Sequence, residues 1–238
     1  MNCCKKKNGS PLPSAPLNIE YWGIRGVGHH LRCMAFYLDL DFTETRLSME
    51  DAPGYFSRKA EALAGGNSLV NLPNIKDGDV FVSEASACIG YLLQKAGRSD
   101  MMNNTWQREQ AASIVKHMFL GATVPAYECP DKAALTVKLN PEFESYAKFQ
   151  LAGLARTLGF KEFLFGKDPV AADFALADFL EKVAAMDAEL DIGTKLVKGN
   201  SVWEGYLSRF LALPKIKEFR ASPKFIERPF NSPTAVWF

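Results

Sequence analysis

The chain has 238 residues, 47% of them hydrophobic and 23% charged, with 28 basic against 27 acidic side chains and a formal charge of +1. That length can bury a sizeable core in one or two domains, and the composition is globular, neither disordered nor collagen-like. So small a net charge removes the general attraction that nucleic-acid binding draws on, and no nucleic-acid partner is expected.

Residues 1–16, "MNCCKKKNGSPLPSAP", read as a disordered tail. Two adjacent thiols, Cys3 and Cys4, precede three lysines, so S-acylation and peripheral membrane association stand as the alternative; Asn2 occupies the place where a myristoylation signal needs glycine. The remaining cysteines, Cys33, Cys88 and Cys129, bring the total to an odd five with no CxxC pair, which suits a reducing compartment and a cytoplasmic location. No apolar run has the length of a membrane span, and the start lacks the apolar stretch of a secretory signal.

Leu17 to Tyr21 reads as a short apolar strand, and after the turn at Gly23 to Gly28 the residues Val27, Leu31, Met34 and Leu38 recur at helical spacing. Thr43, Thr45, Leu47 and Met49 alternate with Glu44, Arg46 and Ser48, the pattern of a half-buried strand. The polar, Gly-rich stretch from Asp51 to Ser68 reads as a loop. "NLPNIKDGDVFVSEASACIGYL" then gives a proline-led strand, a hairpin turn at Asp77-Gly78, a second strand and a helix from Ser83 to about Gly97. This βαβ, loop, ββα order over 17–97 makes a small open sheet that needs helices against it.

After a linker at 98–104, residues 105–238 supply them. Asn104 with Gln107 resembles a capping box, and Ile114, Met118 and Gly121 continue one helix. Asn140 caps the next, Pro141 takes its first position, and Phe143, Ala147, Leu151, Leu154 and Leu158 form a stripe ending at Gly159. "VAADFALADFLEKVAAM" is apolar on nearly every side, as a buried central helix is. Two more helices, Val202 to Leu213 and Pro214 to Ala221, finish the reading; there is no internal repeat.

Three groups of residues invite chemistry. A proline-led strand beside a helix start suits an extended ligand, with Leu72 and Pro73 presenting backbone and the N–H groups of Glu84 to Ser86 facing a carboxylate; a purely structural pairing is the alternative. Tyr21 and Trp22 end a strand where open sheets bind ligands, with Arg25 in the next turn. The tyrosine could donate to an anion and Arg25 add positive field, or all three could serve packing and an ion pair. His29 and His30 are adjacent and cannot share a helix face, and His117 is distant, so no metal site is expected. Asp173 and Asp178 in the apolar helix read first as partners for buried backbone.

In order and spacing, "YWGIRGVGHHLR", "MEDAPGY", "NLPNIKDG", "SEASAC" and the closing "FIERPF...AVW" resemble the mu class of cytosolic glutathione transferases, a likeness running from about Asn18 to Phe238. The resemblance implies a thioredoxin-like N-terminal domain, an all-helical C-terminal domain for the second substrate and a homodimer. It implies glutathione as co-substrate with no metal, and a detoxifying conjugation of its thiolate to electrophilic apolar molecules. Tyr21 matches the tyrosine that donates to the glutathione sulfur, Trp22 and Val27 match the site wall, Asn71 and Leu72 flank the cis-proline Pro73, and Glu84 matches the residue at the γ-glutamyl end.

Departures fall inside the same motifs. Ala85 stands where the family has serine, so one hydroxyl donor to the γ-glutamyl carboxylate is missing. The family's grip on the glycine carboxylate has no clear counterpart, and Arg58 or Lys59 is the substitute. The second-substrate tyrosine falls on Pro125, with Tyr127 nearby; Leu69 replaces a bulky aromatic at the dimer contact. Val170 replaces the threonine that caps the central helix, leaving that start to backbone, water or Asp168. Two other functions remain open: a glutathione-fold ligand-binding or structural protein without catalysis, and thiol-disulfide exchange, which would need a cysteine where Tyr21 stands.

Overall fold

A computed structural model describes residues 17–102, 105–190 and 196–238. The first strand, β1 (Leu17–Trp22), alternates buried and half-buried side chains, with Leu17, Ile19 and Tyr21 on the inner face. A single 3-10 turn, Gly26–Gly28, leads into α1 (His29–Tyr37), and β2 (Phe42–Leu47) returns parallel to β1. The hairpin of β3 (Asn74–Asp77) and β4 (Val80–Ser83) adds to the other side of β1, giving the order β2-β1-β3-β4. Gly78, with φ of 60°, takes the first of the two loop positions of that hairpin, where a positive φ is needed. After the hairpin comes α3 (Ala85–Lys95), and the fully buried Asp77 ties the two together by accepting from the Tyr91 hydroxyl and the Lys95 ammonium at 2.6 Å each.

Two expectations fail in this half. In β2, Thr43 and Thr45 face solvent while Phe42 and Glu44 turn inward, although Leu47 is buried as the alternation requires. The cause lies on α1: the buried Arg32 needs a counter-charge, and its Nε donates to Glu44 Oε2 at 2.8 Å. The stretch after β2 is no loop but a helix, α2 (Ala52–Ala64), with a proline in its first turn. Its residues are good helix formers, yet only Tyr55 is buried, so there is no apolar stripe for the sequence to display.

The second half is helical among the described residues. Asn104 lies outside them; the cap of α4 (Trp106–Glu128) is Thr105, whose side chain accepts from the Arg108 N–H at 3.3 Å. A short α5 (Lys132–Lys138) precedes α6 (Glu144–Leu158), which buries Phe143 just before it and then Ala147, Leu151, Leu154 and Leu158, and ends at Gly159 with φ of 55°. The buried central helix α7 (Ala171–Leu190) begins without help from Asp168: Asp173 accepts the N–H groups of Val170 at 2.8 Å and Leu164 at 3.0 Å, and the Tyr206 hydroxyl at 2.7 Å. Around it stand α4, α5 and α8 (Ser201–Ala212), α9 (Pro214–Ala221) packs on α8 and reaches α7 through the Arg220–Glu181 ion pair, and α1 packs on α7 and α9 to join the halves. The fold is a thioredoxin-like sheet domain followed by a helical domain. No described helix is long and apolar enough to cross a membrane.

The chain does not stop at α9. Residues 222–238 run back as a strap across the junction of the two halves: the Arg25 N–H donates to Pro229 O at 2.8 Å and the Gly26 N–H to Phe230 O at 3.0 Å. Farther along, the Val236 N–H donates to Ala126 O at 2.8 Å and Trp237 Nε1 to Glu189 Oε2 at 2.8 Å.

Candidate functional site

Strand register brings the candidate residues to one end of the sheet. Glu20 pairs with Asn74 and Asn74 with Ser83, so the end of β1, the start of β3 and the first turn of α3 meet there. Leu72 and Pro73, joined by a cis peptide, precede β3 and stand beside Tyr21 and Trp22.

Tyr21 is seated by the turn that follows it. Its hydroxyl accepts the Val27 N–H at 3.2 Å, and its ring lies against two glycines. A Cβ on Gly26 would come to 2.5 Å from the Tyr21 hydroxyl oxygen, and one on Gly28 to 2.3 Å from Cδ1, so only glycines leave room for the ring. Behind it, the Arg32 guanidinium carbon lies 5.6 Å from the ring centroid, fixed by Ile24 O and Trp22 O at 2.9 Å each. Burial pushes the hydroxyl's pKa up to about 12; the Val27 N–H and Arg32 pull it down, and Tyr127 and Asp178 push it up. The group is therefore protonated at neutral pH with one lone pair already engaged, and its remaining capacity is to donate. Trp22, half-buried, packs edge-on to Tyr55 with centroids 5.6 Å apart.

At the start of α3 a chain of side chains forms. Lys59 Nζ donates to Asn71 Oδ1 at 3.1 Å, and Asn71 Nδ2 donates to Glu84 Oε1 at 2.6 Å. Glu84 holds φ of 74°, with its N–H on Pro73 O at 3.1 Å and its carbonyl accepting from Cys88 N at 2.9 Å. Ser83, the other residue able to cap, spends its hydroxyl on Leu69 O, and no side chain caps α3. The N–H groups of Ala85, Ser86 and Ala87 thus point from an uncapped helix start, where an anion is stabilised. Arg58 stays outside this chain: its guanidinium donates to Glu20 Oε1 at 3.0 Å, and its side chain is 58% exposed.

The helical domain supplies the facing wall. Tyr127, at the end of α4 and 44% exposed, accepts the Ser232 N–H of the strap at 2.9 Å, and Ser232 Oγ reaches Met49 Sδ at 3.2 Å. Pro125 is half-buried within α4, its carbonyl accepting from Cys129 N at 3.0 Å. Val27, half-buried, lies in the turn beneath Tyr21.

Arg25 does not join Tyr21. It is buried between Asp178 and Glu181, at 2.7 Å from each, and its field is spent on those carboxylates. His29, Asp178 and Glu181 bring ligand-type atoms within 4.8 Å of one another, but Arg25 already occupies both carboxylates. Burial and the neighbouring Arg25 hold His29 far below its usual range, so it is neutral at pH 7. The segments "YWGIRGVGHHLR" and "FIERPF...AVW" contain Arg32, the glycine pair and the strap, but sequence reading gave none of these residues a role; the G-x-G at Gly26 and Gly28, in the turn after Tyr21, was the available signal for the glycines.

No family model matches the chain. It is similar to glutathione S-transferase Mu 2 of Homo sapiens, 26% identical over 226 residues, and to glutathione S-transferase Mu 7 of Rattus norvegicus, 28% over 236; each alignment covers 93% of this chain and 98% of the relative. Among solved structures it is similar to the glutathione S-transferase Blo t 8, with a TM-score of 0.71 and 21% identity over 92% of this chain and 98% of that one. It is likewise similar to Na-GST-3, a monomeric glutathione S-transferase of Necator americanus, with a TM-score of 0.71 and 15% identity over 90% of this chain and 100% of that one.

Proposed function

We propose that the chain is a glutathione transferase of mu-like type, an enzyme that binds glutathione across the sheet end and transfers its thiolate to an electrophilic, largely apolar second substrate. The observation that carries this reading is the Tyr21 hydroxyl, protonated and backed by the Val27 N–H, at the same end of the sheet as an uncapped helix start. The uncapped N–H groups of α3 bind the γ-glutamyl carboxylate, with Glu84 and Asn71 orienting its ammonium end. Leu72 offers backbone to the cysteinyl residue, and Lys59 takes the glycine carboxylate. A thiol with a pKa of about 8.5 needs a fall of about two units, or roughly 2.7 kcal/mol, to be mostly thiolate at neutral pH. One charge-assisted hydrogen bond of about 1.5 to 3 kcal/mol from Tyr21 is of that size. The electrophile sits between Tyr21 and Tyr127, against Val27 and Met49.

We further propose a cytoplasmic homodimer, in which Leu69, 77% exposed, lies at the contact. Light scattering at micromolar protein should give about twice 26.4 kDa; the monomer seen for Na-GST-3 is the contrary outcome. The function itself is tested by steady-state conjugation of an aryl halide with titrated glutathione. Saturable turnover supports it. Glutathione binding by calorimetry without turnover replaces it with a non-catalytic binding protein.

A further inference from the structure

Lys182 is an anomaly in α7. It is fully buried in a largely apolar helix whose two other buried charges, Asp173 and Asp178, already have partners elsewhere, and a lysine there is rare unless paired. Its ammonium donates to Thr123 Oγ1 at 2.6 Å and Asn231 Oδ1 at 2.8 Å and lies 4.5 Å from the Phe119 ring centroid. Asp178, one turn earlier on α7, is taken by Arg25 at 2.7 Å. Its direct partners are neutral acceptors and one aromatic face, with Asp178 adding attraction at longer range. A methionine would fill the same space without removing a charge from water.

The reason to keep an ammonium there lies in what its two acceptors support. Thr123 is one turn before Tyr127 on α4. Asn231 donates from its side-chain Nδ2 to Trp237 O at 2.9 Å, and the next residue, Ser232, gives its backbone N–H to the Tyr127 hydroxyl at 2.9 Å. Lys182 therefore grips both flanks of Tyr127, the helix that carries it and the strap that orients its hydroxyl. With its oxygen accepting from Ser232, that hydroxyl keeps its proton to donate into the cleft.

We infer that Lys182 is a positioning residue for the second-substrate wall: through Thr123 and Asn231 it clips the C-terminal strap to α4, so that the Ser232 N–H stays on the Tyr127 hydroxyl. The inference rests on the transferase reading, in which the electrophile lies against Tyr127. The groups facing the ammonium are Asp178 on α7, Arg25 from the turn after β1, Thr123 and Phe119 on α4, and Asn231 in the strap. The strap also carries Pro229 and Phe230, whose carbonyls take the Arg25 and Gly26 N–H groups, but those are backbone bonds that do not pass through the Lys182 amine; loss of the clip therefore falls first on Tyr127, whose hydroxyl takes the Ser232 N–H.

The test compares wild type with Lys182→Met, Asn231→Ala, Tyr127→Phe and the double variant Lys182→Met/Tyr127→Phe, using an aryl halide and glutathione. Lys182→Met should raise the KM for the electrophile by about tenfold, the worth of one hydrogen bond, and leave the glutathione Kd and the bound-thiol pKa unchanged. Asn231→Ala breaks the clip from the strap side and should give the same split, which keeps the test open should the methionine variant not fold. In the double variant, Lys182→Met should add nothing to the effect of Tyr127→Phe. Equal losses toward both substrates, or an undiminished additional loss on the Tyr127→Phe background, overturn the inference while the transferase reading stands. A wild type without conjugation overturns both.

Discussion

Replacing Tyr21 with phenylalanine isolates one atom. The ring keeps its seat between Gly26 and Gly28, since nothing larger enters, and the one bond lost within the protein is the 3.2 Å contact from the Val27 N–H, which costs the fold about 1 kcal/mol. The grips proposed for the two ends of glutathione lie elsewhere, so affinity should change little. Conjugation should not be spared: removal of a charge-assisted donor worth about 2 to 3 kcal/mol slows turnover by roughly 30- to 150-fold and raises the bound-thiol pKa by about two units. The Val27 N–H, freed by the substitution, is the nearest replacement donor, and its access to the sulfur would set the lower end of that range. Burial holds the Tyr21 hydroxyl at about 12, so it stays protonated through the working range and the rate against pH reports the thiol alone. The assay is thiolate absorbance of bound glutathione against pH, in parallel with the rate of conjugation. A variant that keeps both the wild-type rate and the wild-type thiol pKa would falsify the assignment of Tyr21 as the donor. Arg25 cannot be invoked instead, because Asp178 and Glu181 hold it.

Ala85→Ser should tighten glutathione binding roughly tenfold by calorimetry, since it adds a hydroxyl at the uncapped start of α3; unchanged affinity would mean that carboxylate is already fully satisfied. Lys59→Ala should weaken binding about tenfold or more, whereas Arg58→Ala, which removes a largely exposed partner of Glu20, should leave it within about a factor of two; the reverse ranking would move the glycine-end grip to Arg58. Lys182 also predicts a pH dependence of stability. Burial lowers its pKa from 10.5 to about 7, so between those values the unfolded chain binds the extra proton and folding grows more favourable as pH rises. Urea unfolding from pH 7 to 9 should show wild type gaining on Lys182→Met by up to about 1.4 kcal/mol per unit, and parallel curves would rule out a buried, shifted amine.

Legibility followed the range of the interaction. The hairpin at Asp77-Gly78, the stripe from Phe143 to Leu158 and the cis-proline position are written in local pattern, and they stand where the sequence puts them. Where a distant partner decides, pattern misleads. The inward face of β2 follows Glu44 because Arg32, twelve residues earlier, needs a carboxylate. The helix α2 buries almost nothing and so leaves no periodic trace. Within the candidate site, the strand-end position singled out Tyr21, and the structure links Lys59, Asn71 and Glu84 in one hydrogen-bonded chain, although the sequence reading set Lys59 and Glu84 at opposite ends of the ligand. Lys182 was hidden in an apolar run in which one charged letter carries no periodic signal. Its partner Asn231 lies 49 residues away in a segment with no regular structure at all.

The turn that seats Tyr21 hangs by its first two N–H groups from the carbonyls of Pro229 and Phe230. In order of synthesis, the sheet leaves the ribosome early and can form with the turn already at its end, but the acceptors for that turn are made only after the helical domain. Tyr21 therefore acquires its final setting only when the strap closes, after the helical domain is in place. A nascent chain that has not yet reached residue 229, or one nicked before it, would have a folded sheet and an unset tyrosine, so that the setting of the Tyr21 hydroxyl waits on the arrival of Pro229 and Phe230.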